Sequence, residues 1–385
     1  MKLKNLSIRR TYVVLSLSVL VVATLLILFT NGKFFQVFFF PDPNDTGMDF
    51  FNQLIAVHTR KPYTQYGNLY PPLTNFFFYL LQLMIPSAIK EGWPSNHTDT
   101  MGFVGTTQDL RLHQSALLIF LFHTVLAVLC IFLLLRSLSI TKKEAFCLTF
   151  SFGVLTALER GNVILIAFIL LLIFIKNYQS TSPVKKEVAL IALAASFGFK
   201  LYPALFGILL LKDRQFFAAI RAALYGVLFT ILPMLFFDGW DGFSLWLNTL
   251  LRHGGVETEA AAATIQESSS PVSLHLIILV ILAIILLTDL FFAGKLKYSF
   301  YPSQRLFLIT TLMLTIVSST GSYNLIFYIL PFTFFLKETK ELRKSILPEF
   351  IVYLFLLLPL GINYLDPWLL PLFAIGCVLR HQKAQ

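Results

Sequence analysis

The chain is poor in charge, has few cysteines and lacks the short motifs of nucleotide-driven or metal-dependent catalysis. Charged residues make up 13% of its 385 positions against 57% hydrophobic, a balance that no water-soluble domain of this length needs. The three cysteines, Cys130, Cys147 and Cys377, lie in or beside apolar runs without C-x-x-C spacing or a neighbouring histidine, and read as small core residues. There is no Walker loop, no G-x-G-x-x-G, no H-E-x-x-H and no G-x-S-x-G, so ATP-driven, nicotinamide-linked and zinc-dependent readings lack support. No cluster of metal-ligand residues occurs, and the sequence therefore predicts neither a metal nor a cofactor. The net charge of +10 does not point to nucleic acid, because the basic residues form short clusters between apolar runs.

What the chain does contain is apolar length. Its 40 phenylalanines are spread from end to end, as expected where helices face lipid or each other. Apolar runs at 11–30, 115–136, 144–158, 162–177, 187–199, 203–211, 218–237, 272–293, 304–320, 324–336, 349–363 and 367–379 predict an all-α, polytopic membrane bundle of about twelve segments, one domain over 1–385. "MKLKNLSIRR" and the long apolar run after it read as an uncleaved signal-anchor helix.

One further run, "PPLTNFFFYLLQLMIPSAI" at 71–89, decides the orientation of everything after it. If it crossed, Lys142, Lys143, Lys185, Lys186 and the "KETKELRK" loop would all face outward, against the tendency of basic loops to stay inside. It is therefore read as juxtamembrane or re-entrant, with the N-terminus cytoplasmic and two long outer loops, 31–114 and 238–271. Such a protein belongs in the inner membrane.

Three acids, Asp42, Asp45 and Asp49, crowd the start of the first outer loop in "PDPNDTGMDFFNQ". Asp42 and Asp45 sit among Pro and Asn and read as turn residues, with Asp45 also a candidate for binding. Asp49 opens a pattern that places Phe50, Leu54 and Val57 on one side, a short amphipathic helix lying on the membrane. A carboxylate there serves the helix dipole, or it takes a proton. Further along, "ERGN" at 159–162 and "GFKLYP" at 198–203 put Arg160 and Lys200 at helix breaks, Pro203 enforcing the second. Either these cations pair with Glu159 and helix-end carbonyls, or they hold a phosphate. Tyr70 in "YGNLYPP", Asn162, Tyr202, Tyr323 and Asn324 in "SSTGSYN", and His253 in "RHGG" share the same outer side as candidate substrate contacts.

The order of these pieces resembles the bacterial membrane glycosyltransferases of family 87 in the GT-C superfamily. The likeness rests on the outward Asp-Phe loop, "YPP", the "GN" turn opening a helix, and above all "ALIALAASFGFKLYPALFGILLLKDRQFFAAI". It departs from the family in having "RGN" where "GQ-x-N" is usual, and Tyr323 and Asn324 where an aromatic and histidine pattern is common. The resemblance implies a sugar, often mannose, taken from a polyprenyl-phosphate carrier outside the cytoplasm and passed with inversion to a hydroxyl of a lipid or glycan acceptor. It also implies that an acid of the first outer loop, by position Asp49, is the general base, with Lys200 and Arg160 on the donor phosphate. The partners so implied are membrane lipid, the lipid-linked donor and a glycan or glycolipid acceptor. A flippase or transporter of lipid-linked sugars would use the same cations and broken helices, and a catalytically dead scaffold of an envelope complex is the third reading.

Overall fold

The computed structural model describes residues 8–39, 43–90, 109–254, 271–292, 298–316, 321–338, 347–360, 376 and 383–384. Over these residues the regular structure is helical apart from one two-residue antiparallel ladder, in which Tyr298 faces Ala384. The helices are α1 (Ile8–Phe29), α2 (Lys33–Phe38), α3 (Met48–Ala56), α4 (Pro72–Gln82), α5 (Ser87–Lys90) and α6 (Gln114–Ser137). They continue as α7 (Lys142–Thr149), α8 (Phe152–Arg160), α9 (Ile164–Asn177), α10 (Pro183–Phe199), α11 (Ile208–Lys212) and α12 (Phe216–Phe236). The last described are α13 (Gly239–Gly254), α14 (Pro271–Phe292), α15 (Pro302–Ile316), α16 (Ile329–Glu338) and α17 (Leu347–Leu357).

Among the described residues three helices, α1, α6 and α12, are long and apolar enough to cross a membrane, and α9, α17 and the 202–212 stretch are shorter apolar pieces. Their outer faces carry bare apolar side chains, such as Phe122 of α6 and Phe217 of α12, 70% and 85% exposed. In water such faces would collapse together; in hydrocarbon they need no partner. The all-helical class holds. The count of twelve spans is not established by these helices, and the expected segment at 367–379 lies outside the described residues except for position 376.

Several expected spans are built differently from the even runs the sequence suggested. The run at 144–158 is two helices, α7 and α8, parted at Phe150 and Ser151. The run at 203–211 begins as a 3-10 turn, Tyr202–Gly207, before the five residues of α11. The run at 324–336 likewise starts as a 3-10 turn, Ser322–Tyr328, and becomes regular only in α16. Broken segments leave main-chain groups unpaired, which hydrocarbon forbids unless protein surrounds them. Here it does: α8 lies so close to the Ser322–Tyr328 turn that a Cβ on Gly153 would stand 2.3 Å from the Ile326 nitrogen. Phe168, Phe327, Phe332 and Tyr12 fill the centre of the main core and are fully buried.

At one end of the bundle, polar pairs tie together helix starts and helix ends that the alternating topology would put on one side. Arg9 of α1 grips Glu144 of α7 through two bonds of 2.6 and 2.7 Å, Glu187 of α10 meets Arg221 of α12 at 2.6 Å, and Arg305 of α15 pairs with Asp289 of α14. Glu144 also closes a capping box with Thr141, so one buried carboxylate serves both a helix start and an ion pair. The other end holds the first outer loop, the α8–α9 turn and the break after α10.

The run at 71–89 folds as α4 and α5 and docks onto that second end. Thr74 donates to the carbonyl oxygen of Phe199 at 2.9 Å, and Leu73 fits the space left by Gly198. The side-chain hydroxyl thereby satisfies a carbonyl freed where α10 ends. Helix α3 departs from expectation. Phe50, Leu54 and Val57 do share a side and are fully buried, yet Met48, Phe51, Gln53, Ile55 and Ala56 are buried too. The helix is inserted into protein instead of lying on a membrane, because its opposite side finds α6 and α8 residues to pack on.

Candidate active site

The turn at 159–162 is shaped by two residues. Gly161 ends α8 at φ +65°, a left-handed conformation that glycine adopts without strain, and any Cβ there would stand 2.7 Å from the Phe50 Cβ. Asn162 then accepts the Ile164 N–H through Oδ1 at 3.0 Å, opening α9. That bond fixes the amide, so its Nδ2 must face the other way, where it donates to Asp49 Oδ2 at 2.6 Å.

Asp49 sits in the first turn of α3, whose preceding Gly47 donates its N–H to the Glu159 carbonyl oxygen at 2.8 Å. The other carboxylate oxygen of Asp49 accepts from Arg160 at 2.7 Å, and the same guanidinium reaches Asp45. Arg160 thus bridges two aspartates, and it is these acids, not Glu159, that it pairs with. Asp49 lies at a helix start where the dipole favours its charge, and it sits among the polar side chains of Arg160 and Asn162. Its side chain is 17% exposed. Burial raises its pKa, while the Asn162 bond and the nearby Lys200 charge draw it back down.

Lys200 is the residue at which α10 gives way to extended backbone. Its ammonium stands 4.4 Å from the ring centre of Tyr70 and 5.8 Å from that of Tyr323. Among the described residues it forms no ion pair and no side-chain hydrogen bond. Tyr70 closes the ring of contacts, its hydroxyl 3.5 Å from Asn162 Nδ2. Tyr202 donates to Asn324 Oδ1 at 2.5 Å, which ties the break after α10 to the Ser322–Tyr328 turn.

The structure therefore draws nine of the ten sequence candidates to one end of the bundle: Asp45, Asp49, Tyr70, Arg160, Asn162, Lys200, Tyr202, Tyr323 and Asn324. His253 belongs to α13, but its side chain lies outside the described residues, as does Asp42. No group of three or more His, Cys, Asp or Glu able to hold a metal ion occurs among the described residues.

Sequence reasoning passed over residues that hold this cluster in place. Asn68 donates to Gln53 at 2.7 Å and to Asn75 at 3.2 Å, and accepts the Tyr70 N–H at 2.8 Å, a buried polar network that sets the "YGNLYPP" loop. Glu159, treated only as a partner for Arg160, is a second perturbed acid. Burial and the Asp49 charge push its pKa up to about 7 against a hydrogen bond with Thr46, and its Oε1 is buried without a partner.

Beside the Lys200 break runs an apolar cavity of about 700 Å³. Leu193 and Phe197 of α10, Leu205 and Ile208 after the break, Gly226 of α12 and Phe243 of α13 line it. Thr230 supplies the one hydroxyl side chain of its lining among the described residues.

Residues 68–320 match the family model of glycosyltransferase family 87. The chain belongs to that family. No curated protein and no solved structure matches it. The match in this family 87 glycosyltransferase takes in Tyr70, Arg160, Asn162, Lys200, Tyr202 and the cavity, while Asp45 and Asp49 precede it and Tyr323 and Asn324 follow it.

Proposed function

We propose that this family 87 glycosyltransferase moves a sugar, mannose or another hexose, from a polyprenyl-phosphate donor to a hydroxyl of a lipid or envelope-glycan acceptor. The observation that carries the reading is the electrostatic attraction between Asp49 and Lys200, which among the described residues has no ion pair, next to a chain stretch, 204–211, that lines an apolar cavity. A lipid-linked phosphosugar has three parts that need three environments. Its tail requires an apolar channel, its phosphate a cation, and the attacking hydroxyl a base. In this reading Asp49 is the base, Lys200 the cation, and the apolar cavity lined from α10, the 204–211 stretch, α12 and α13 takes the tail.

In the proposed reaction the acceptor O–H gives its proton to a carboxylate oxygen of Asp49 as the acceptor oxygen bonds to the anomeric carbon. The bond from that carbon to the phosphate oxygen breaks on the opposite face, and its electron pair leaves with the polyprenyl phosphate. One displacement inverts the configuration. A carboxylate offers about four lone-pair sites, so the two bonds from Arg160 and Asn162 leave room for the incoming proton. The raised pKa of Asp49 makes it a stronger base than a solvated aspartate. Lys200 takes the growing phosphate charge, and Arg160, neutralised by two aspartates, holds the base and reaches the phosphate only by loosening Asp45. Tyr70, Tyr202, Tyr323 and Asn324 offer aromatic faces and amide contacts to the sugar, with His253 a further candidate.

The site is proposed to face the non-cytoplasmic side of the inner membrane in a multi-pass protein of about twelve segments with its N-terminus inside. A transporter reading gains no structural observation of its own. Purified protein in detergent, supplied with mannosyl or glucosyl polyprenyl phosphate and a glycolipid acceptor, tests the proposal: sugar transfer without any gradient supports it. Transport across vesicles with no transfer product refutes it.

A further inference from the structure

The loop that carries Tyr70 has no helix or strand of its own between Lys61 and Pro71, so its position is set by what grips it. On one side the grip is the Asn68 network already described. On the other it comes from a distant part of the chain, the α12–α13 junction. Asp238 accepts the Tyr63 N–H at 3.0 Å and the Thr64 hydroxyl at 2.5 Å. Trp246 of α13 donates its indole N–H to the Leu69 carbonyl oxygen at 3.2 Å, and the Tyr63 hydroxyl donates to the Tyr70 carbonyl oxygen at 3.1 Å. Two consecutive carbonyls at the Leu69–Tyr70 corner are thus held by side chains braced on α13.

The same helix reaches the apolar cavity through one residue. Phe243 lines it, and its ring centre lies 6.0 Å from that of Trp246, which lies 6.2 Å from that of Tyr63. Tyr63, Met234 and Trp246 are buried together, with Phe243, Leu250 and Leu201 packed on them, and Leu201 is the residue directly after Lys200. A continuous run of contacts therefore leads from the cavity wall through Phe243, Trp246 and Leu69 to Tyr70, and from Tyr70 to Lys200 and Asn162.

We propose that α13 couples occupancy of the apolar cavity to the placement of Tyr70, with Trp246 and Asp238 as positioning residues for sugar transfer. The inference rests on the lipid-linked donor reading above. A tail filling the cavity bears on Phe243 and holds the Trp246 indole against Leu69, so Tyr70 stays seated against Lys200 and Asn162. An empty or half-filled cavity lets that corner of the loop relax. Neither residue touches the reacting atoms; both act through Tyr70.

The consequence is a dependence of kcat, and not only of KM, on the length of the donor's lipid. At saturating donor the wild-type protein turns over a long polyprenyl-phosphate sugar faster than one with a two-isoprene tail. Trp246→Phe keeps an aromatic ring of smaller size and removes the N–H. It lowers the ratio of kcat on the long donor to kcat on the short one by about fivefold, the weight of one neutral hydrogen bond. Asp238→Asn, which keeps the side-chain size, shifts the ratio in the same direction. A purely structural role for Trp246 would lower both rates by one common factor, and an unchanged ratio in a variant that melts like wild type overturns the coupling. Should wild-type protein transfer sugar from neither donor, the donor reading itself fails and the coupling falls with it.

Discussion

Replacing Lys200 by glutamine separates a cation kept for a ligand from one kept for the fold. In the protein as described the ammonium makes no ion pair, and its aromatic contacts with Tyr70 and Tyr323 lie at 4.4 and 5.8 Å. Removing it costs the Asp49 carboxylate only a nearby charge, since Arg160 and Asn162 still hold it, and the lost cation–π attraction of about 0.5–2 kcal/mol is offset by no longer desolvating a cation that has no ion pair among the described residues. The melting temperature should stay where it is or rise. Catalysis should suffer much more, because the ammonium's partner arrives only with the substrate. A charge-assisted hydrogen bond to the departing phosphate contributes about 1.5–3 kcal/mol, so kcat/KM for the donor should fall about 10- to 150-fold. Lys200→Arg, which restores the charge in a bulkier fork, should recover part of that loss. The assay is transfer from a radiolabelled polyprenyl-phosphate sugar by purified protein, paired with thermal unfolding in the same detergent. A kcat/KM within threefold of wild type, or a large fall in melting temperature that accounts for the lost activity, would refute the reasoning.

Gly161→Ala should lower the melting temperature by several degrees, since a left-handed φ of +65° and a contact of 2.7 Å with Phe50 are both imposed on the new methyl group; a thermal shift in detergent checks it. Glu159 sets a pH dependence with a definite sign. Its folded pKa of about 7 lies above the ordinary value of 4.5, so between those values the unfolded chain loses the proton while the folded protein keeps it. Stability should fall as pH rises from about 4.5 to 7 and level off above, by at most about 3 kcal/mol from this group, and Glu159→Gln should flatten that decline in melting curves taken across the range.

The sequence exposed the chemistry of the site better than its mechanics. Arg160 and Lys200 stood out because a cation next to apolar segments at a helix break needs a reason to be there, and Asp49 because it followed turn-rich residues and opened a helical pattern. Asn162 came with the same turn, and the structure gives it two tasks, accepting the first N–H of α9 and orienting Asp49, which its type alone could not separate. Residues that hold the site by shape or by reach were invisible. Asp238 and Tyr63 are 175 positions apart, and nothing local to either marks the other. The break at Lys200 and Pro203 was legible from the proline; the 3-10 start of 322–338 was not, because apolar content is the same in a 3-10 turn and an α-helix, and the close packing of Gly153 and of Tyr202 on that turn is what sets it apart. The burial of α3 on nearly every side was likewise set by distant neighbours, so its amphipathic pattern suggested a membrane surface where the protein supplies its own.

The central claim is that Asp49 takes the proton of the acceptor hydroxyl. Asp49→Asn keeps an oxygen to accept from Arg160 but turns an NH2 donor toward the Asn162 Nδ2 donor, so the Asn162 bond is lost, while Arg160 retains both the residue at 49 and Asp45 and keeps the site assembled. Measured side by side, donor affinity should change by no more than a few-fold while the rate of sugar transfer drops about 10²- to 10⁴-fold, the span that general-base catalysis contributes. A variant that binds donor and transfers sugar at the wild-type rate would contradict the account.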